Sequence, residues 1–255
     1  MPTFSIITAN LNSGEKLAGT AASVLAQSAD FEYLIMDGAS TDRSIEIARQ
    51  LAHDHPGKVR LVSEQDHGAY DAMNRGINAS RGRYLYFLGA GDVLLAEALA
   101  DIAAVLPADE NRVVYGDVQW GGKRYDGPFS RWKLIKGNIC HQAIFYGRGV
   151  FERLGLYRLR YRARADWEFN MRCFGPRGVR CQYTPVVVAV FEQGGFSSLG
   201  DSAFTQDKDA MIRTHLGLGP YLDLKWSRFG LRVRSKLSRT FRAVFQQKYE
   251  VQRHG

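Results

Sequence analysis

The chain has 255 residues, of which 45% are hydrophobic, 12% aromatic and 24% charged. That balance fits one large α/β domain or two small ones and excludes collagen-like, low-complexity and disordered classes. The net charge of +8 is unevenly distributed: residues 221–255 hold nine Lys/Arg against two acids, so a nearly neutral body carries a basic tail.

The amino terminus, Met-Pro-Thr-Phe-Ser-Ile-Ile, reads as a strand and not as a secretory leader. Apolar, β-rich runs follow at residues 4–8, 33–37, 59–64 and 84–89. Between them, Leu17, Ala21, Val24 and Leu25, then Ile45, Ile47, Ala48 and Leu51, then Ala72, Met73 and Ile77 recur at helical spacing. Strands alternating with helices predict βα units and a mostly parallel central sheet flanked by helices. Ser40-Thr41-Asp42 supplies an N-cap for the second helix. The apolar run at 93–106 is interrupted by Glu97 and Asp101 and falls short of the roughly 18 residues that cross a bilayer.

Beyond residue 107 the rhythm changes. Residues 113–120 and 139–146 read as strands, Gly121-Gly122 as a turn, residues 149–154 and 166–173 as short helices, and 185–191 as a last apolar run. These extend the same sheet, so residues 1–220 are expected to form one domain, with 1–106 its nucleotide-binding half and 107–220 its acceptor-side half. Cys140, Cys173 and Cys181 are scattered and lack zinc spacing, which predicts a reducing compartment, hence a cytoplasmic protein. From Trp226, Phe229, Val233, Leu237, Phe241 and Val244 step by threes and fours beside Arg228, Arg232, Lys236 and Arg239. That is an amphipathic helix with a cationic flank, expected to bind the anionic inner face of a membrane; its aromatics lie on the apolar stripe, which argues against nucleic acid.

Chemistry-bearing side chains recur where the strands end: Thr8, Asn10 and Asn12, then Asp37, then Glu64 and Asp66, then Asp92. Open parallel sheets bind ligands at their carboxyl edge. Gly89-Ala90-Gly91-Asp92 lacks the third glycine of a dinucleotide fingerprint and follows the fourth strand, and no phosphate-loop or serine-elbow motif occurs.

Seven blocks in order resemble the inverting family 2 glycosyltransferases of the GT-A (nucleotide-diphospho-sugar transferase) fold, of the colanic-acid and exopolysaccharide type. They are Phe4-Ser-Ile-Ile-Thr-Ala-Asn10, Leu34-Ile-Met-Asp37-Gly-Ala-Ser40-Thr-Asp42, the stretch from Ser63 to Gly76, Phe87-Leu-Gly-Ala-Gly-Asp92, Cys140-His141-Gln142-Ala143, Ala165-Asp166-Trp167-Glu168 and Gly194-Gly195-Phe196-Ser197. The resemblance implies a nucleotide-sugar donor, UDP- or GDP-linked, held by Thr8, Asn10, Asp37, Asp66, Asn74, Gly91 and Asp92, with the Asp37 carboxylate accepting a base N–H. It implies Mg²⁺ or Mn²⁺ on Asp92, the last position of an Asp-x-Asp motif whose first acid is here Ala90. Asp166 is implied as the general base on the acceptor hydroxyl, and Glu168, about 200° round a helix from it, is not. His141, Gln142 and Ser197 are acceptor or diphosphate candidates, and Gly194–Ser198 is expected to form a closing loop. Arg158, Arg160, Arg162 and Arg164 alternate as on an exposed strand, facing either a diphosphate or solvent. The expected acceptor is a lipid-linked or growing glycan. Alternatives left open are a sugar-nucleotide-forming nucleotidyltransferase and a non-catalytic sugar-nucleotide-binding homologue.

Overall fold

A computed structural model describes residues 1–191 and 200–227. The first half alternates β1 (Phe4–Asn10), α1 (Lys16–Leu25), β2 (Phe31–Asp37), α2 (Ser44–Asp54), β3 (Val59–Ser63), α3 (Ala69–Ala79) and β4 (Tyr84–Phe87). Every residue of β2 and β4 is buried. Continuous apolar strands of this kind need helices on both faces of the sheet. The helices supply them through the apolar stripes of the sequence: Leu17, Thr20, Ala21 and Val24 are the buried positions of α1.

The second half adds β5 (Val93–Leu94), α4 (Ala98–Ala103), β6 (Arg112–Trp120), β7 (Lys123–Tyr125), α5 (Arg131–Lys136), β8 (Ile144–Gly147), α6 (Arg148–Leu154), α7 (Ala165–Phe174), β9 (Arg180–Val190) and α8 (Ser202–Met211). A π-helical turn, Ile212–Leu216, and a helix over residues 218–227 follow. Among the described residues nine strands join one sheet in the order β3-β2-β1-β4-β8-β6-β9-β5, with β7 on β6. The pairs β1–β2, β1–β4, β2–β3 and β6–β9 are parallel, whereas β4–β8, β6–β8, β6–β7 and β5–β9 are antiparallel. The expected parallel order therefore holds among β1, β2, β3 and β4, and the reversed strand β8 stitches them to the rest.

Three local expectations change. Residues 139–143 are not strand, because His141–Ala143 curls into a 3₁₀ turn whose Gln142 carbonyl accepts the Tyr86 hydroxyl at 2.8 Å. The arginines at 158–164 lie in loop and turn: Arg158 pairs with Glu168 at 3.2 Å and Arg160 with Asp207 at 2.9 Å. At α2 the N-cap position falls on Arg43, without a side-chain cap bond, beyond the expected Ser40-Thr41-Asp42; Asp42 just before it accepts the Ser44 amide at 3.0 Å and the Gly14 amide at 2.8 Å.

An aromatic cluster forms the floor between the two halves. Phe169 of α7 stacks on Phe151 of α6 at 4.7 Å and meets Tyr146 of β8 at 5.4 Å and Tyr157 at 5.2 Å. Tyr157 also touches Phe87 at the end of β4. Each such pair contributes about 0.5–1.5 kcal/mol beyond area burial, so α7 is held rigidly against the end of β4.

Candidate active site

The ends of β1 and β2 are adjacent because Asn10 pairs with Asp37 in the parallel register. Asp37 is completely buried. Its Oδ1 accepts from Asn10 Nδ2 at 2.7 Å and from the Ser40 hydroxyl, and its Oδ2 from the Ser40 amide at 3.0 Å and the Ser63 hydroxyl at 2.7 Å. Burial pushes this carboxyl up, but the bonds from Ser40, Ser63 and Asn10 outweigh it and hold it below the usual carboxylate range. Four donors fill the lone pairs of a carboxylate, so a base N–H meets Asp37 only by displacing one of them.

Other expected donor residues are engaged in the same way. The Thr8 hydroxyl accepts from Tyr33 at 3.1 Å, and Asn10 Nδ2 also reaches Ser40 and Ser44. Asn74 clamps the Tyr157 peptide through two bonds of 2.9 and 3.0 Å, tying α3 to the loop before α7. Asp66 accepts the Gly68 amide at 2.9 Å and lies 3.5 Å from Arg75.

The loop after β4 carries Asp92. Gly91, at φ +109°, adopts a conformation that glycine favours, and its amide donates to Thr20 Oγ1 at 2.9 Å. A Cβ on Gly89 would stand 2.7 Å from Asp92 Oδ2, so the bare backbone there makes room for the carboxylate. Thr20 in turn donates to the Asp92 carbonyl at 2.9 Å, fixing the loop to α1. Gln142 Nε2 donates to Asp92 Oδ2 at 2.6 Å, and Gln142 Oε1 accepts from the Cys140 thiol, which burial pushes up to about 12.

Asp166, in the first turn of α7, accepts from the Tyr70 hydroxyl on Oδ1 at 2.6 Å and from Asn138 Nδ2 on Oδ2 at 2.7 Å. Burial, and then the Asp166 charge, push the Tyr70 hydroxyl well above its ordinary value, so it stays a donor. Two residues on, Glu168 is turned away and fully buried, paired with Arg158, with Arg172 at 3.0 Å and with His215 at 3.1 Å.

Asp92, His141, Gln142 and Asp166 line one cavity of about 250 Å³, together with Ala9, Leu11, Ser13, Tyr70, Met73, Phe87, Ala90, Tyr157 and Phe191. Thr8, Asn10, Asp37, Asp66 and Asn74 are not on its wall and instead fix the strand and helix ends around it. Ser197 and the rest of the Gly194–Ser198 loop lie outside the described residues, as does the tail beyond 227. Sequence reasoning missed Tyr70, Asn138 and Thr20. Tyr70 lies inside the Ser63–Gly76 block, but no local spacing marks its meeting with Asp166, 96 residues away; nothing local marks Asn138 or Thr20.

Among the described residues no three His, Cys, Asp or Glu side chains gather to hold a metal ion. Ala90 leaves Asp92 as the one acid of the Gly89–Asp92 turn. A single hard carboxylate at a cavity wall nevertheless fits Mg²⁺ or Mn²⁺ shared with phosphate oxygens, since such cations use one or two carboxylates and keep waters.

The sequence matches the family described as Glycosyl transferase family 2 over residues 5–185. It is 42% identical over 225 residues to a PGL/p-HBAD biosynthesis glycosyltransferase of Mycobacterium bovis (strain BCG / Pasteur 1173P2), covering 85% of this chain and 87% of that one. The fold is similar to S. aureus TarS, at 16% identity and TM-score 0.65, where 83% of this chain spans only 39% of that one. A TarS 1-349 structure in complex with UDP-GlcNAc matches at TM-score 0.64 and 19% identity, over 83% of this chain and 65% of that one. The mannosyltransferase PcManGT from Pyrobaculum calidifontis, in complex with GDP-Man and Mn²⁺, matches at TM-score 0.61 and 17% identity, over 91% and 81%.

Proposed function

The chain belongs to glycosyl transferase family 2 and has the GT-A fold, and from that premise we propose that it moves a hexose from a UDP- or GDP-sugar to a hydroxyl of a lipid-linked or growing glycan, with inversion, in cell-surface polysaccharide assembly. The observation that carries this reading is the shared cavity: Asp92 and Asp166, from opposite halves of the sequence, both line it.

Asp92 would hold Mg²⁺ or Mn²⁺ jointly with the donor diphosphate, a cation whose contribution is to neutralise charge on the leaving group. Gln142 keeps the Asp92 carboxylate turned toward the cavity. The residues of β1 and β2 that the sequence marks, Thr8, Asn10 and Asp37, hold the edge on which the nucleotide lies, with Ala9, Leu11 and Ser13 as its contact surface. Asp66 and Asn74 brace α3 beside it, and Gly91 shapes the turn of Asp92. Asp166 takes the proton from the acceptor hydroxyl as that oxygen bonds to the anomeric carbon and the bond to the diphosphate oxygen breaks. One base and one direct displacement give inversion. His141 and Ser197 remain the candidates for contacts to acceptor or diphosphate. The apolar wall of Phe87, Tyr157 and Phe191 limits water, which favours an alcohol acceptor over hydrolysis.

A thermal-shift panel of UDP-, GDP- and dTDP-sugars, each with and without Mn²⁺, tests the donor class. A rise in melting temperature for UDP- or GDP-sugars that needs Mn²⁺ and is lost in Asp92→Asn supports the reading. No shift with any donor contradicts it.

A further inference from the structure

We propose that Asn138 and Tyr70 are positioning residues for Asp166, and that Asn138 is the last link of a one-directional hydrogen-bond relay starting at Tyr146. This deepens the reading of Asp166 as the base and rests on it.

The relay's direction follows from its chemistry. The Tyr146 hydroxyl donates to Asn170 Oδ1 at 2.8 Å, Asn170 Nδ2 donates to Asn138 Oδ1 at 2.8 Å, and Asn138 Nδ2 donates to Asp166 Oδ2 at 2.7 Å. Each amide offers one acceptor end and one donor end, and an ionised carboxylate offers acceptors alone. Turning either amide over would set two NH₂ groups, or two oxygens, against each other. Every hydrogen therefore points along the chain toward Asp166, which closes it as the acceptor.

The placement is equally determined. Asp166 and Asn170 are four residues apart on α7 and so share one face. Asn138, from the loop after α5, bridges both side chains and locks that face. Asn170 and Tyr146 are fully buried and do not line the cavity, so unpairing them is costly and the relay is held rigid. On the other oxygen, Tyr70 closes the fork at 2.6 Å. With one donor on each oxygen, rotating the carboxylate breaks a bond, and a lone pair on each oxygen is left over at the cavity that Asp166 lines. Misplacing a reacting group by an ångström costs on the order of 100-fold in rate.

The test is a double-mutant cycle on the full chain, read as kcat and donor KM for transfer, with nucleoside diphosphate affinity measured by calorimetry. Asn138→Ala and the near-isosteric Asn138→Asp, which can accept from Asn170 but cannot donate to Asp166, are expected to lower kcat about 10- to 100-fold, with donor KM and UDP or GDP affinity unchanged. Asn170→Ala should lower kcat in the same direction by less. In an Asp166→Asn background, Asn138→Ala should change the residual rate less than about twofold, because the group it acts through is gone. An equal loss in both backgrounds, or wild-type kcat in both Asn138 variants, overturns the relay while leaving the base intact. Full kcat in Asp166→Asn alone overturns the base reading and the relay with it.

Discussion

At the scale of single residues, the carboxylates divide by their partners. Asp37 accepts four internal bonds and serves as a fastener between strand ends, whereas Asp92 and Asp166 reach the cavity. Because the Asp37 carboxyl is held below its ordinary value, folding stabilises its ionised form. That contribution is present above the unfolded value of about 3.9 and is lost as pH falls through the lower folded value. Asp37→Asn is thus expected to cost about 1.5–3 kcal/mol at pH 7, with the gap to wild type narrowing below about pH 4; a constant gap in urea unfolding at the two pH values contradicts this. Gln142→Leu frees the Asp92 carboxylate from its orienting donor and should weaken Mn²⁺-dependent UDP or GDP binding about 10- to 100-fold by calorimetry. Asp92 was legible in sequence because it ends the short Gly89–Asp92 stretch after the fourth apolar run, and Asp166 through the resemblance carried by Ala165-Asp166-Trp167-Glu168. The partners Tyr70 and Asn138 were not, since their bonds to Asp166 span 96 and 28 residues and no local spacing encodes such a meeting.

At the scale of elements, α7 joins chemistry to packing. Its Asp166 lines the cavity with Asn170 buried behind it, Glu168 is ringed by Arg158, Arg172 and His215, and Phe169 enters the aromatic floor. Removing the Phe169 ring leaves a cavity among Phe151, Tyr146 and Tyr157, so Phe169→Ala should destabilise by about 3–5 kcal/mol and reduce turnover more than donor affinity. Equal stability to wild type in chemical denaturation would contradict the floor's role. The first four strands and three helices were readable because apolar runs and stripes have distinct periods. The turn at His141–Ala143 was misread as strand, since it leads without a break into the apolar run of β8 while its geometry answers to Tyr86 and Asp92 across the sheet. The antiparallel pairing of β5 with β9 likewise depends on residues 93–94 meeting 189–190, a contact that strand propensity does not specify.

At the scale of the whole molecule, no helix among the described residues is long and apolar enough to cross a membrane. The helix described over 218–227 carries Trp226, 72% exposed, within the basic segment of the sequence. Proposed attachment through that segment predicts that vesicles containing anionic lipid sediment the full chain and not a chain ending at Pro220, with binding lost at high salt; equal sedimentation of both contradicts it. The central claim concerns the pairing of two carboxylates across one cavity, and it is tested most directly by the release of nucleoside diphosphate from a UDP- or GDP-sugar in the presence of Mn²⁺. The account predicts slow release by the wild type that falls at least about 100-fold in Asp92→Asn, through lost donor binding, and as far in Asp166→Asn with donor binding kept. Release at the wild-type rate in both variants would contradict it.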